Sequence, residues 1–169
     1  METNVRLYSL LFRDIMTYGA ALLFLSGNII LPRLFHLLPE GGATWLPIYF
    51  FTLVGAYKYG WKVGLLTAVL SPLSNSWLFG MPMPVALPAI LTKSVLLAVG
   101  AGYAAHRYKK VSLLLFLAVT LFYQVAGTVA EWAMGGSFYA AVQDFRIGIP
   151  GMLSQILGGY LFVKHLIRN

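Results

Sequence analysis

The sequence predicts an all-α polytopic membrane protein, with about six spanning helices in a compact bundle and both termini cytoplasmic. Three observations predict it. Of the 169 residues, 59% are hydrophobic and only 10% charged, and a soluble domain cannot build a polar shell from that composition. Apolar runs recur along the chain near the length of about 20 residues that a spanning helix requires, with short loops between them. The basic residues gather at alternate ends of those runs, as they do in proteins oriented by a membrane.

The chain, residues 1–169, reads as a single integral membrane domain. Met1–Asp14 is a short amphipathic lead containing Arg6 and Arg13. It has no signal-peptide pattern, because no small-residue cleavage site follows the first apolar run. Ile15–Leu31 is the first span, ended by Pro32. Pro32–Leu46 is a loop with Arg33, His36, Pro39, Glu40 and Gly41-Gly42. Pro47–Tyr57 is a short second span, extending back through Trp45. Lys58–Lys62 is a tight turn. Val63–Phe79 is the third span, with Ser71-Pro72 and Asn75 in its outer half. Gly80–Pro84 cannot be regular helix, since Pro82 and Pro84 each lack a donor and restrict the residue before them. Val85–Tyr103 is the fourth span, with Lys93 inside it. His106–Lys110 is a basic turn. Val111–Met134 is the fifth span, containing Gln124 and Glu131. Gly135–Phe145 is a polar loop, and Arg146–Val163 is the sixth span.

An even number of spans puts both termini on one side. Arg6, Arg13, Lys58, Lys62, Arg107, Lys109, Lys110, Lys164 and Arg168 lie on that side, nine of the twelve basic residues. Arg33 and Arg146 lie on the other, and Lys93 is within a span. Short loops rich in Lys and Arg stay cytoplasmic. The net charge of +7 is therefore read as topology, and nucleic acid is not an expected partner.

Absence of cysteine removes disulfides, thiolate metal sites and cysteine nucleophiles together. No nucleotide-binding loop or HExxH is present, and the three histidines share no helical spacing. Neither a metal nor a cofactor is expected. Small residues recur four apart at Gly60 and Gly64, Ala98 and Gly102, Gly100 and Ala104, and Ala101 and Ala105. Such spacing lets helices approach closely, either within the bundle or at a partner.

Polar groups in a bilayer are costly and face the protein interior or a wet cavity. Here they concentrate in the outer half. Asn75 is near the outer end of the third span. Lys93 is about 10–13 Å into the fourth, at 1.5 Å per residue. Thr128 and Glu131 are near the outer end of the fifth, with Gln124 deeper, and Gln155 is in the outer half of the sixth. This asymmetry predicts a pocket open to the outside, roofed by Gly80–Pro84 and the loop around His36. Trp45, Tyr49, Trp77 and Trp132 also lie at outer ends. They read either as an interfacial aromatic belt or as a stacking wall for a flat ligand. Lys93 has two readings as well: a ligand contact, or an internal ion pair with Glu131.

The stretches NIILPRLFHLLP (Asn28–Pro39) and WLPIYFFTLVGAYKYGWKVGLLTAVLSPLSNSWLFGMP (Trp45–Pro82) carry a resemblance. They combine a proline-broken loop after the first helix with a short second helix. A glycine-spaced turn running into Gly-Leu-Leu, a Ser-Pro in the third helix and a Gly-Met-Pro loop follow. Together these features resemble the substrate-binding S components of energy-coupling factor vitamin transporters, over roughly half the chain, from about Asn28 to Arg107. The resemblance implies a multi-pass subunit in a bacterial or archaeal cell membrane that binds a water-soluble vitamin or precursor from outside. It implies a separate transmembrane coupling protein and two cytoplasmic ATPases as partners, since this chain has no ATPase motif. It also implies a docking face on the first helix, where the family presents an alanine-x-x-x-alanine patch. The nearest match here is Thr17–Ala21, giving Thr17, Ala20 and Ala21 as docking residues. Two other classes compete. A membrane-embedded enzyme would need a tight Asp, His or Ser cluster at the membrane edge, and none is evident. An assembly subunit would bind no small molecule and would use Lys93, Gln124 and Glu131 only for helix packing.

Overall fold

The structure is a computed structural model and describes residues 6–135 and 137–166. Met1–Val5 of the lead and Arg168 lie outside the described residues. Among the described residues the chain is helical, without strands. Three helices among the described residues are long and apolar enough to cross a membrane: α1 (Ile15–Phe35), α5 (Leu87–Tyr108) and α6 (Leu113–Ala133). Between α1 and α5 lie α2 (Gly41–Trp45), one 3₁₀ turn (Pro47–Tyr49), α3 (Phe50–Tyr59) and α4 (Trp61–Phe79). After α6 come the short α7 (Phe138–Ala141) and α8 (Gln143–Arg146). The last helical run is α9 (Ile149–Leu153), a π turn (Ser154–Gly158), α10 (Gly159–Leu161) and a second π turn (Phe162–Leu166).

Several boundaries differ from the sequence reading. The first helix passes through Pro32 to Phe35 instead of ending there. Pro32 has no N–H for the carbonyl four residues back, which is that of Asn28. The Asn75 side chain supplies the missing donor, with Nδ2 2.9 Å from the Asn28 oxygen. The turn expected over Lys58–Lys62 shrinks to Gly60, whose φ of 103° only glycine adopts freely. Lys58 is instead the penultimate residue of α3, buried beneath the N-terminal lead. There the backbone N–H groups of Tyr8 and Leu10 donate to the carbonyls of Lys58 and Tyr59 at 2.8 and 3.1 Å. The lead thus satisfies acceptors that a helix C-terminus leaves open. The expected polar loop Gly135–Phe145 folds into α7 and α8. The last helix begins at Ile149, and its first π turn brings the consecutive Gln155 and Ile156 both inward.

α3 is the axis of the bundle. It packs against α1, α4, α5 and the last helical run. Thr52 to Lys58 are all buried, so no face of it meets solvent. A helix apolar on every side belongs in a core. At 1.5 Å per residue, its ten residues span about 15 Å, half of a hydrocarbon layer about 30 Å thick. Pro47–Tyr49 leads into it as one 3₁₀ turn, and Leu46 interrupts the helical path with a left-handed φ of 48°. Open space borders Leu46–Tyr49 at that end.

The exterior is apolar, and the hydrophobic interior, built on Phe24, Leu53, Val54, Leu97 and Phe116, also holds a set of uncharged polar side chains. Leu22, Leu23 and Ile30 of α1, Leu114, Val125 and Val129 of α6, and Leu153, Leu157 and Leu161 of the last run are all exposed. Asn28, Thr52, Thr67, Ser71, Ser94, Thr120, Gln124 and Gln155 are all inside. So many exposed large apolar side chains set it apart from a water-soluble bundle.

Candidate functional site

The open space above α3 is a cavity of ≈ 250 Å³. Its wall comes from Pro32 and His36 of α1 and its exit, Gly42 of α2, Leu46–Tyr49, Asn75 of α4, Met81 and Pro82, Ile90 and Lys93 of α5, Glu131 of α6, Ala140 of α7 and Asp144 of α8. This end is opposite the Gly60 turn and the basic end of α5.

Lys93 is the charge at the centre. It is 4% exposed and comes from the second turn of α5. Its Nζ is 2.7 Å from Glu131 Oε2 and 2.9 Å from Asp144 Oδ2. The lysine stem runs across Gly127 of α6, where a Cβ would collide with Lys93 Cγ. Glycine at that position lets α5 and α6 close around the side chain. Asp144 reaches the lysine because α7 and α8 fold back over the bundle end, with Ser137 Oγ accepting from Ala140 N–H at 3.1 Å to start α7.

Behind the wall lies a neutral network. The Tyr49 ring packs on Tyr123 with centroids 5.4 Å apart. The Tyr123 hydroxyl donates to Gln155 Oε1 at 2.7 Å and accepts from Gln124 Nε2 at 2.9 Å. Gln155 Nε2 in turn lies 3.5 Å from the Leu46 carbonyl. This chain ties the strained Leu46 corner to α6 and to the π turn. On the opposite side, Asn28 Nδ2 donates to Thr52 Oγ1 and Ser71 Oγ at 3.0 and 3.1 Å, and its Oδ1 accepts from the Phe51 N–H at 3.2 Å.

Of the residues singled out in the sequence, His36, Tyr49, Asn75, Lys93 and Glu131 come together around the cavity. Asn75 has a second task there, as the donor to the Asn28 and Ser71 carbonyls. Gln124 and Gln155 are fully buried in the network behind Tyr49 and do not line the cavity. Thr128 is also buried; its Oγ1 and Gln124 Oε1 have no hydrogen-bond partner among the described residues. Trp45 packs against Phe35 with ring centroids 5.4 Å apart, outside the cavity wall. Trp77 is 86% exposed, and Trp132 is exposed with an edge contact to Phe138 at 5.6 Å. Neither of those two lines the cavity. Both the ligand and ion-pair readings of Lys93 place it here, but its partners are two carboxylates and not one. Asp144 was missed. The available signal was charge balance: a buried lysine needs an offset, and the chain has only five acidic residues to choose from.

Among the described residues no three His, Asp or Glu side chains converge as a metal site requires. On the first helix, Thr17 and Ala21 are buried and Ala20 is half-buried. Thr17 Oγ1 donates to the Leu11 carbonyl at 2.5 Å. In the isolated chain Thr17 thus ties the lead to α1. Compared with protein-family models, curated proteins and solved structures, the chain finds no match.

Proposed function

We propose that this chain is the substrate-binding subunit of an importer of the energy-coupling factor type. In this reading it crosses a bacterial or archaeal cell membrane six times, with both termini in the cytoplasm. It captures a small water-soluble vitamin or precursor at its outer end. A separate transmembrane coupling protein and two cytoplasmic ATPases drive delivery to the inside.

The cavity above the short α3 carries the proposal. It lies at the end away from most of the basic residues, and its wall mixes apolar side chains with a few convergent polar ones, as small-molecule sites do. The loop containing Met81 and Pro82 and the α7–α8 segment border it, so closing over a ligand needs only surface elements to move. An assembly subunit has no use for such a space. The three long apolar helices and the lipid-like exterior support the membrane setting.

The test has two arms. Purified protein in nanodiscs is screened against a panel of water-soluble vitamins and precursors by thermal unfolding. A cognate ligand at about 100 times its Kd should stabilise the fold by about 2.7 kcal/mol. Uptake of that ligand is then measured in cells with and without an energy-coupling module. Accumulation only with the module, and no ATP hydrolysis by the purified chain, is the expected result. Strong accumulation in cells lacking every such module would show that the chain works alone.

A further inference from the structure

The chemistry of the cavity selects a class of ligand. Around Lys93 the formal charges are one positive and two negative, from Glu131 and Asp144. The set therefore carries one surplus negative charge. All three side chains are largely removed from solvent, at 5%, 23% and 12% exposure for Lys93, Glu131 and Asp144. No second cation in the wall offsets it: among the described lining residues Lys93 is the only lysine or arginine, and His36 is the one other basic side chain. Two arginines lie near this end, and both are exposed and engaged elsewhere. Arg33 sits over the Phe79 ring at 4.2 Å in a neighbouring recess, and Arg146 lies over the Tyr139 ring at 3.7 Å. The rest of the wall is mostly apolar, with Ile48, Ala86, Ala89 and Ile90, so water does little to screen the surplus charge. Tyr49 adds an aromatic ring, whose face favours cations.

We propose that the cavity takes a small organic cation, with its positively charged nitrogen held against the carboxylates of Glu131 and Asp144. Lys93 then orients the two carboxylates and is not itself the main ligand contact. An anion would meet two carboxylates and only one lysine, already shared between them. A neutral ligand would leave the surplus charge without an offset. This inference rests on the reading of the cavity as a small-molecule site.

A matched set of probes separates the two ideas: aminomethylpyridine, its neutral analogue pyridinemethanol and its anionic analogue pyridinecarboxylate. Each is titrated into the protein in nanodiscs at neutral pH, up to about 50 mM, because fragments of this size bind in the millimolar range. Binding is read by thermal shift and by chemical-shift changes of the probe. The amine should bind about ten-fold or more tighter than either analogue. Asp144→Asn, which leaves a neutral Lys93–Glu131 pair, should erase that preference. Glu131→Gln serves as the second variant if the first does not fold. Equal or tighter binding of the alcohol or the acid overturns the charge assignment alone. So does an amine preference that survives in both folded variants. Failure of all three probes to bind overturns the small-molecule reading of the cavity itself, and this inference with it.

Discussion

At the scale of single residues, the buried ion cluster dominates. A lone lysine within a span costs about 2.5–3.5 kcal/mol on insertion scales. Two carboxylates within 3 Å offset that cost, but they make the site dependent on all three partners. Removing one member of a buried ion cluster leaves the others unpaired and costs about 3–5 kcal/mol. Lys93→Met should therefore lower stability by about that amount in denaturant unfolding of the detergent-solubilised protein. The triple change Lys93→Met, Glu131→Gln, Asp144→Asn should regain most of the loss, because no charge is left behind. A Lys93→Met protein as stable as the parent would mean that the cluster is open to water and not closed. Lys93 was legible in the sequence as an anomaly, and Glu131 as its candidate partner. Asp144 was not, since twelve residues separate it from Glu131 and nothing local shows that two short helices fold it back.

At the scale of elements, the informative case is a helix that continues through a proline. Pro32 and Asn75 are 43 positions apart, yet they act as one unit. The proline withdraws a donor from the Asn28 carbonyl, and the asparagine replaces it. Asn75→Leu should leave that buried carbonyl unpaired and cost about 1–3 kcal/mol. Pro32→Ala restores a backbone N–H at the same place, so Asn75→Leu should cost clearly less in a Pro32→Ala background. A double-mutant cycle by thermal unfolding measures the difference, and strictly additive effects would remove the coupling. α3 makes a similar point. Its sequence marked it as short, and its composition as apolar. Its central position follows only from the contacts on all sides that bury every residue from Thr52 to Lys58.

At the scale of the whole molecule, the distribution of polarity sets the prediction. Exposed leucine and valine cover the outside of α1, α6 and the last helical run, and the uncharged amides and hydroxyls are inside. The basic residues cluster at the Gly60 end. Reporter fusions at Asn169 and within Gly135–Ser137 should therefore report opposite sides of the membrane, with Asn169 cytoplasmic. The same side for both would sink the six-span arrangement. The asymmetry of nine basic residues against two is large enough that moving one charge should not reverse the orientation.

The sequence by itself determined the helical class of this protein and the presence of helices long and apolar enough to cross a membrane. These follow from composition and from run length. Each is a sum over many residues, so no single contact is needed to see it. Tertiary structure decided the rest. It made Gln124 and Gln155 supports behind Tyr49, turned Trp77 and Trp132 outward, and brought Asp144 to Lys93. The physical reason is that a side chain's task depends on which face of its helix meets a neighbour and on where connecting segments fold. In the last helix a π turn shifts that face, and at the Gly135–Phe145 segment two short helices stand where polarity alone suggested a loop. Long-range pairing, such as Lys93 with Asp144 across 51 positions, exists only once the chain has packed.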